Sequence, residues 1–106
     1  MTDYIQVITT TNTEEEARKI QRLLIEERAA ACVQIIGPIS SLYWWEGKIE
    51  EAKEWICLAK ARSEYYQRIE SLIKKNHPYT VPEILAIPVA AGNKDYLAWI
   101  NEVTSP

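Results

Sequence analysis

The chain predicts an α+β fold. Its 106 residues are the length of one domain. Three observations carry this reading. Strand and helix signals follow each other as β-α-β-β-α-β, with a helix to finish. Two long strand signals flank the single turn Glu46-Gly47. The second of those strands is apolar on both faces.

Tyr4 to Thr10, "YIQVITT", alternates and is rich in β-branched residues, so it reads as a strand. Thr13 and Glu16 then fit a capping box, and Glu14 to Glu16 suit the positive end of a helix dipole. Ala17, Ile20, Leu23 and Leu24 mark the apolar face of that helix, whose end falls near Arg28 to Ala30. Ala31 to Trp45 is the next strand. Gly37-Pro38 interrupts it, which predicts a bulge or bend with Pro38 on a sheet edge. Lys48 to Arg62 pairs back across the turn. Ser63 is placed to cap a second helix, with the stripe Tyr65, Tyr66, Ile69, Leu72 and Ile73. Pro78 stops that helix at His77. "HPYTVPE" is a stiff loop, Ile84 to Ala90 a fourth strand with Pro88 on an edge, and Asp95 to Val103 a short C-terminal helix.

Two β-α-β halves joined by a hairpin make the ferredoxin-like plan, an antiparallel sheet with helices on one face. In "EWICLAKA", Trp55, Cys57 and Ala59 point one way, and Ile56 and Leu58 the other. A strand that is apolar on both sides is covered on both sides. One chain supplies helices for one side only, so a second copy is the economical cover. The hairpin agrees: about 13 residues at ~3.3 Å span roughly 43 Å, against a radius of gyration near ~13 Å for such a domain. The hairpin overhangs its own core and carries Tyr43, Trp44 and Trp45 at its tip. A homo-oligomer follows, with the tryptophans as contacts between subunits.

Composition narrows the function classes. The chain is 47% hydrophobic and 25% charged, as globular proteins are. A net charge of −3 does not favour phosphate backbones or anionic membranes. No apolar run reaches the roughly 18 residues of a membrane span, and the N-terminus has neither the basic nor the apolar region of a signal peptide. Two cysteines without an export signal predict reduced thiols and a cytoplasmic protein. An RNA-recognition domain shares this strand order, but it needs basic charge and aromatic platforms. This chain is acidic and contains no Phe. Catalysis has little support, with no phosphate-cradling glycine loop and no nucleophile-base set.

"AACV", "SLYWWEGKIEE", the Glu54 to Lys60 strand, "HPYTVPEI" and "DYLAWI" follow one another in an order and spacing that resemble the CutA divalent-cation-tolerance family. The resemblance covers essentially the whole chain. It implies a ferredoxin-like subunit similar in fold to PII signalling proteins and a tight homotrimer built through long hairpins. It also implies binding of copper or other divalent metals. Cys32 and His77 match family positions. Thr80 departs from them, because an acidic or amide residue is common there, and Cys57 has no evident counterpart.

Cys32 and His77 are the candidate metal ligands, since thiolate and imidazole suit copper and zinc. No CxxC or HxxxH spacing supports them, and each has a plainer role. Free cysteines in strands are commonly small buried hydrophobes, and His77 is placed to cap the last carbonyls of its helix. With Glu46-Gly47 as a two-residue turn, Cys32 would face Ala61 and Cys57 would face Ile36. The cysteines would then share a sheet face about 13 Å apart, too far for a disulfide or one metal ion. A bulge at Gly37-Pro38 shifts this by one residue. Glu46, Glu50, Glu51 and Glu54 form an exposed acidic run of the kind that is usually a solvated face. The resemblance implies that the positions of Tyr43, Trp44, Glu54, Lys60 and Tyr79 gather near the cleft between subunits. This charged and aromatic set is the candidate pocket, fit for a small anion, or else holds a Glu-Lys pair closing an interface. Trp44, Trp45, Lys48 and Glu50 are the candidate interface residues. The function implied is divalent-cation tolerance by a metal-binding trimer. The alternatives are a PII-like sensor of a small anion and a trimer that only displays partners.

Overall fold

The computed structural model describes residues 3–106. β1 (Tyr4–Thr11) is followed by α1 (Glu14–Glu26), β2 (Cys32–Trp45), β3 (Lys48–Arg62), α2 (Tyr66–Asn76), β4 (Ile84–Pro88) and α3 (Lys94–Val103). The four strands form one antiparallel sheet in the order β2-β3-β1-β4. This is the ferredoxin-like arrangement, with β2 and β4 on the edges. Both proline-bearing strands are therefore the edge strands, where a missing N–H breaks no ladder.

Local chemistry explains the helix ends. Thr13 accepts the Glu16 N–H at 3.1 Å and caps α1. α1 stops at Glu26, short of the expected Arg28 to Ala30. Arg28 adopts a left-handed φ of 56° there. Its N–H bonds to Ile25 and that of Ala29 to Leu24, so two terminal carbonyls are satisfied in a Schellman motif. Ser63 does not cap α2. A 3₁₀ turn, Ser63–Tyr65, comes first, and α2 starts at Tyr66 without a side-chain cap. Burial of Tyr65 against the core holds this entry instead. Asn93 caps α3 by accepting from Asp95 and Tyr96.

The core lies between α1, α2 and one face of the sheet. Ile20, Leu24, Ile69 and Ile73 are fully buried there, against Val7, Cys57, Ala59 and Ala61. The small residues of β3 let the helices approach closely. The opposite face carries Ile8, Leu58 and Leu85 on one rung, with Ile56 and Ile36 on another. Leu85, Ile87 and Ile36 there are about half exposed. The strand is thus apolar on both faces, as the alternation in "EWICLAKA" predicts; α1 and α2 cover one of them, and α3 reaches only the Cys32 end of the other.

The hairpin turn places Glu46 at φ 49° and Gly47 at φ 79°, the left-handed pair that matches strand twist. The molecule is 44 Å in its longest dimension and 26 and 22 Å in the others. Leu42 and Trp44 are 71% and 72% exposed at the overhanging end.

Register departs from the simple two-residue count at Gly37-Pro38. Ile39 pairs with Glu54, but Ile36 pairs with Ile56, so Gly37 and Pro38 together oppose Trp55. This is the predicted bulge, with a cis Gly37-Pro38 peptide inside it. Beyond it Cys32 faces Lys60, not Ala61, and Cys57 faces Ile35, not Ile36. One residue of slip reverses the face. The two cysteines lie on opposite sides of the sheet.

The bulge leans on Trp55. A Cβ at position 37 would stand 2.3 Å from Trp55 Cδ1. Gly37→Ala is expected to cost about 1–3 kcal/mol through overpacking, read as a lower urea midpoint at unchanged m-value. An unchanged midpoint would show that the indole moves aside freely.

Candidate functional site

The sheet carries polar groups at two places, one near the middle of the hairpin and one near its base. At the first, Glu54 is only 6% exposed. It is not part of the solvated acidic run. Tyr79 donates its hydroxyl to Glu54 Oε2 at 2.6 Å. Tyr43 is close enough to act on Tyr79 electrostatically. Burial, the hydrogen bond and the Glu54 charge together raise the Tyr79 pKa, so its proton stays on the phenol and donates. Glu83, which no sequence pattern singled out, completes the group. Desolvation, and then the Glu54 charge, raise its pKa. The arrangement is a small acidic site with two phenols.

His77 holds the loop that brings Tyr79 and Glu83 here. Its Nε2 lies 2.7 Å from the Thr10 carbonyl oxygen, and its Nδ1 accepts the Tyr79 N–H at 3.1 Å. A carbonyl only accepts, so Nε2 carries the proton and the ring is neutral. The Tyr79 ring meets the imidazole edge-on at 4.8 Å. His77 does not cap α2; Asn76 bonds back to the Leu72 carbonyl at 2.8 Å. The imidazole ties the 77–83 loop to the end of β1.

At the base of the hairpin, Cys32 is a half-buried free thiol on the uncovered face. It shares a rung with Lys60 and Gln6. The Tyr96 hydroxyl of α3 approaches it; burial, and then Cys32, raise the Tyr96 pKa. The Lys60 ammonium donates to Gln34 Oε1. Cys57 lies in the core on the other face, with Sγ 3.5 Å from the Ala17 carbonyl, and burial lifts its pKa to about 11. It is the small buried hydrophobe that strand cysteines commonly are.

The candidate residues therefore fall into separate sets. Tyr43, Glu54 and Tyr79 come together. Lys60 stands six residues along β3 from Glu54, roughly 20 Å at strand rise, so one chain does not gather them into one pocket. Trp44 pairs with Ile49 on the opposite face from Tyr43. Cys32 and His77 are apart as well, since the Thr10 rung meets β3 at Ile56 and the Cys32 rung meets it at Lys60, about 13 Å away. Among the described residues no group of three His, Cys, Asp or Glu side chains could hold a metal ion. Trp44, Trp45, Lys48 and Glu50 stand exposed around the hairpin tip.

Two outcomes test this geometry. Desolvation, set against the Thr10 carbonyl and the charges of Glu16 and Glu54, holds the His77 pKa below the usual 6.5. A lowered folded value means stability that is present above the unfolded pKa and lost as pH falls through the folded one. The single histidine's NMR ring resonances should therefore titrate below pH 6.5, and a midpoint above it would contradict the tie. Tyr79→Phe, which removes a hydrogen bond to a buried charge, is expected to destabilise by about 1.5–3 kcal/mol in denaturant unfolding.

The same chain of elements recurs in known proteins. Residues 5–103 match the model of the CutA1 divalent ion tolerance protein family. A divalent-cation tolerance protein CutA from Thermus thermophilus is 44% identical over 92% of this chain and 95% of its own. A solved structure of the divalent cation tolerance protein from Thermus thermophilus superposes with a TM-score of 0.94 at 42% identity, covering 96% of this chain and 99% of that one. A structure described as the periplasmic divalent cation tolerance protein CutA from Archaeoglobus fulgidus gives 0.92 at 43% identity, over 94% and 97%. The chain belongs to the CutA1 divalent ion tolerance family.

Proposed function

We propose that this protein is a cytoplasmic homotrimer that serves divalent-cation tolerance without catalysing a reaction, and that it binds copper or another divalent metal at its subunit boundaries. The observation that carries the assembly is the uncovered apolar face, continuous with an overhanging hairpin that is apolar on both sides. Leu42, Trp44 and Ile49 line one side of the overhang, and Tyr43 and Trp45 the other. Exposed apolar surface of this extent marks an interaction site. A neighbouring copy covers it, with Trp44, Trp45, Lys48 and Glu50 lying on the next subunit. The number three is taken from the family resemblance, and the link to cation tolerance is supported by the relatives, which are divalent-cation tolerance proteins. No helix among the described residues is long and apolar enough to cross a membrane.

The metal reading needs the boundary too. Cys32 supplies a thiol on the face that a neighbour covers. His77 would offer a ring nitrogen only by giving up Thr10 or Tyr79. The described residues of one chain gather too few ligands in one place, so a site completes where Cys32 of one copy meets donors of the next. The Glu54-Tyr79 group, with Tyr43 beside it, adds oxygen donors of the harder kind.

Native mass spectrometry of the reduced protein with Cu(I), Cu(II) and Zn(II) tests both parts. The expected species is a trimer that takes up metal in multiples of three, with uptake lost in Cys32→Ser. A trimer that stays bare would keep the assembly and remove direct metal binding, leaving a small anion or protein partners as what it binds. Leu58→Asp, on the uncovered face, is expected to give a folded monomer by light scattering and circular dichroism, because the helix-side core is untouched.

A further inference from the structure

The uncovered face has one polar island in an apolar field. Cross-strand partners share a face. Cys32, Lys60 and Gln6 form one rung, and Gln34 stands on the next, opposite Leu58. Tyr96 reaches the island from α3. Around them lie Leu58, Ile8, Leu85 and Ile87.

The island is short of negative charge. It holds an ammonium, two amides, a phenol and a thiol. Among the described residues Arg18, Lys19, Arg22 and Arg62 have a carboxylate within ion-pair distance. Arg28, Lys48, Lys53, Lys74, Lys75 and Lys94 have none but are exposed to water, and the half-buried Arg68 donates to backbone carbonyls. Lys60, among the described residues, has a neutral partner, the Gln34 carbonyl oxygen. The chain is acidic overall, with 15 Asp and Glu against 12 Lys and Arg, yet among the described residues no carboxylate pairs with Lys60. While the face is open, water solvates the ammonium. Once a neighbour covers the face, an unpaired ammonium is desolvated, and a charge buried without a counter-charge costs several kcal/mol.

We propose that the Lys60 island is a binding site for a small oxyanion, a carboxylate or phosphate group, enclosed when a second copy covers the sheet. Lys60 supplies the charge. Gln34 uses its Oε1 to accept from Lys60, which leaves its amide N–H groups to donate outward. The Gln6 amide, on the same rung, is a further donor, with the Tyr96 hydroxyl near Cys32. Cys32 sits beside the bound anion, so ligand and thiol would sense each other. This site is distinct from the Glu54-Tyr79 group, whose carboxylates would repel an anion. The inference rests on the assembly reading.

The test uses the full chain, with its oligomeric state measured by light scattering under every condition. Thermal unfolding is followed against inorganic phosphate and, separately, acetate, with chloride at equal ionic strength as the control. The expected result is an assembled wild type whose Tm rises by several degrees and saturates. Lys60→Met should assemble, lose the response, and be no less stable than wild type without anion. Lys60→Arg should keep the response. A response to phosphate alone places a phosphate group in the site; a response to both extends it to carboxylates. An equal rise in wild type and Lys60→Met is general salting and overturns the proposal. So does an assembled wild type that ignores both anions. A loss of stability in Lys60→Met at every anion concentration also overturns it, and names a carboxylate of the neighbouring copy as the counter-ion. A monomeric wild type refutes the assembly reading, and this inference with it, since the ammonium then stays in water.

Discussion

The pairing of β2 with β3 at Gly37-Pro38 is the constraint on which the rest depends. Two residues oppose Trp55 there, and the indole occupies the space that a side chain at Gly37 would need. Side chains alternate strictly along a strand, so one extra residue decides the face of everything beyond it. Val33 is sent to the helices and Cys32 to the uncovered side. Lys60, Gln34 and Cys32 come together on that side for the same reason.

The hairpin is also a statement about assembly. A ferredoxin-like subunit needs its four strands to be only as long as its two helices. Here β2 and β3 run 14 and 15 residues, against 8 and 5 for β1 and β4. The surplus contributes nothing to the subunit's own core. It carries three adjacent aromatic residues into solvent, which burial at about 25 cal/mol per Å² of apolar surface would favour removing. The open sheet face faces the same pressure. Both surfaces are contiguous, so one neighbour can relieve both.

The polar groups then make sense as two kinds of boundary chemistry. Near the middle of the hairpin, buried Glu54 is held by a phenol that keeps its proton, with Glu83 as a second acid whose pKa is raised. The loop that carries this phenol is tied down by a neutral imidazole using both ring nitrogens. Near the base, a lysine and two amides stand in an apolar surround, and among the described residues no carboxylate pairs with the lysine. One end is acidic and the other cationic, six residues apart on β3. An oxyanion that suits the Lys60 end is repelled by the Glu54 end.

The sequence by itself determined the element order, the hairpin turn, the two proline-bearing edges and the cap at Thr13. These rest on short-range physics: alternation, helical spacing, φ preferences and a side chain bonding to a backbone three residues away. It also showed, in "EWICLAKA", that two faces need cover. The family motifs picked out candidate residues without saying how they are grouped. Tertiary structure decided the grouping. Ser63 lost its cap to the burial of Tyr65. The bulge was legible at Gly37-Pro38, but its direction of slip, and so the separation of Cys32 from Cys57, depends on how Trp55 packs. By local pattern Glu54 reads as one more surface acid in an acidic run; the family resemblance set it in one candidate pocket with Tyr79, and the fold makes the contact across 25 residues while leaving Lys60 out of it. His77 likewise meets Thr10 across 67 residues. Contacts at such separations are settled by which surfaces meet when the chain closes, and a local pattern carries no record of them.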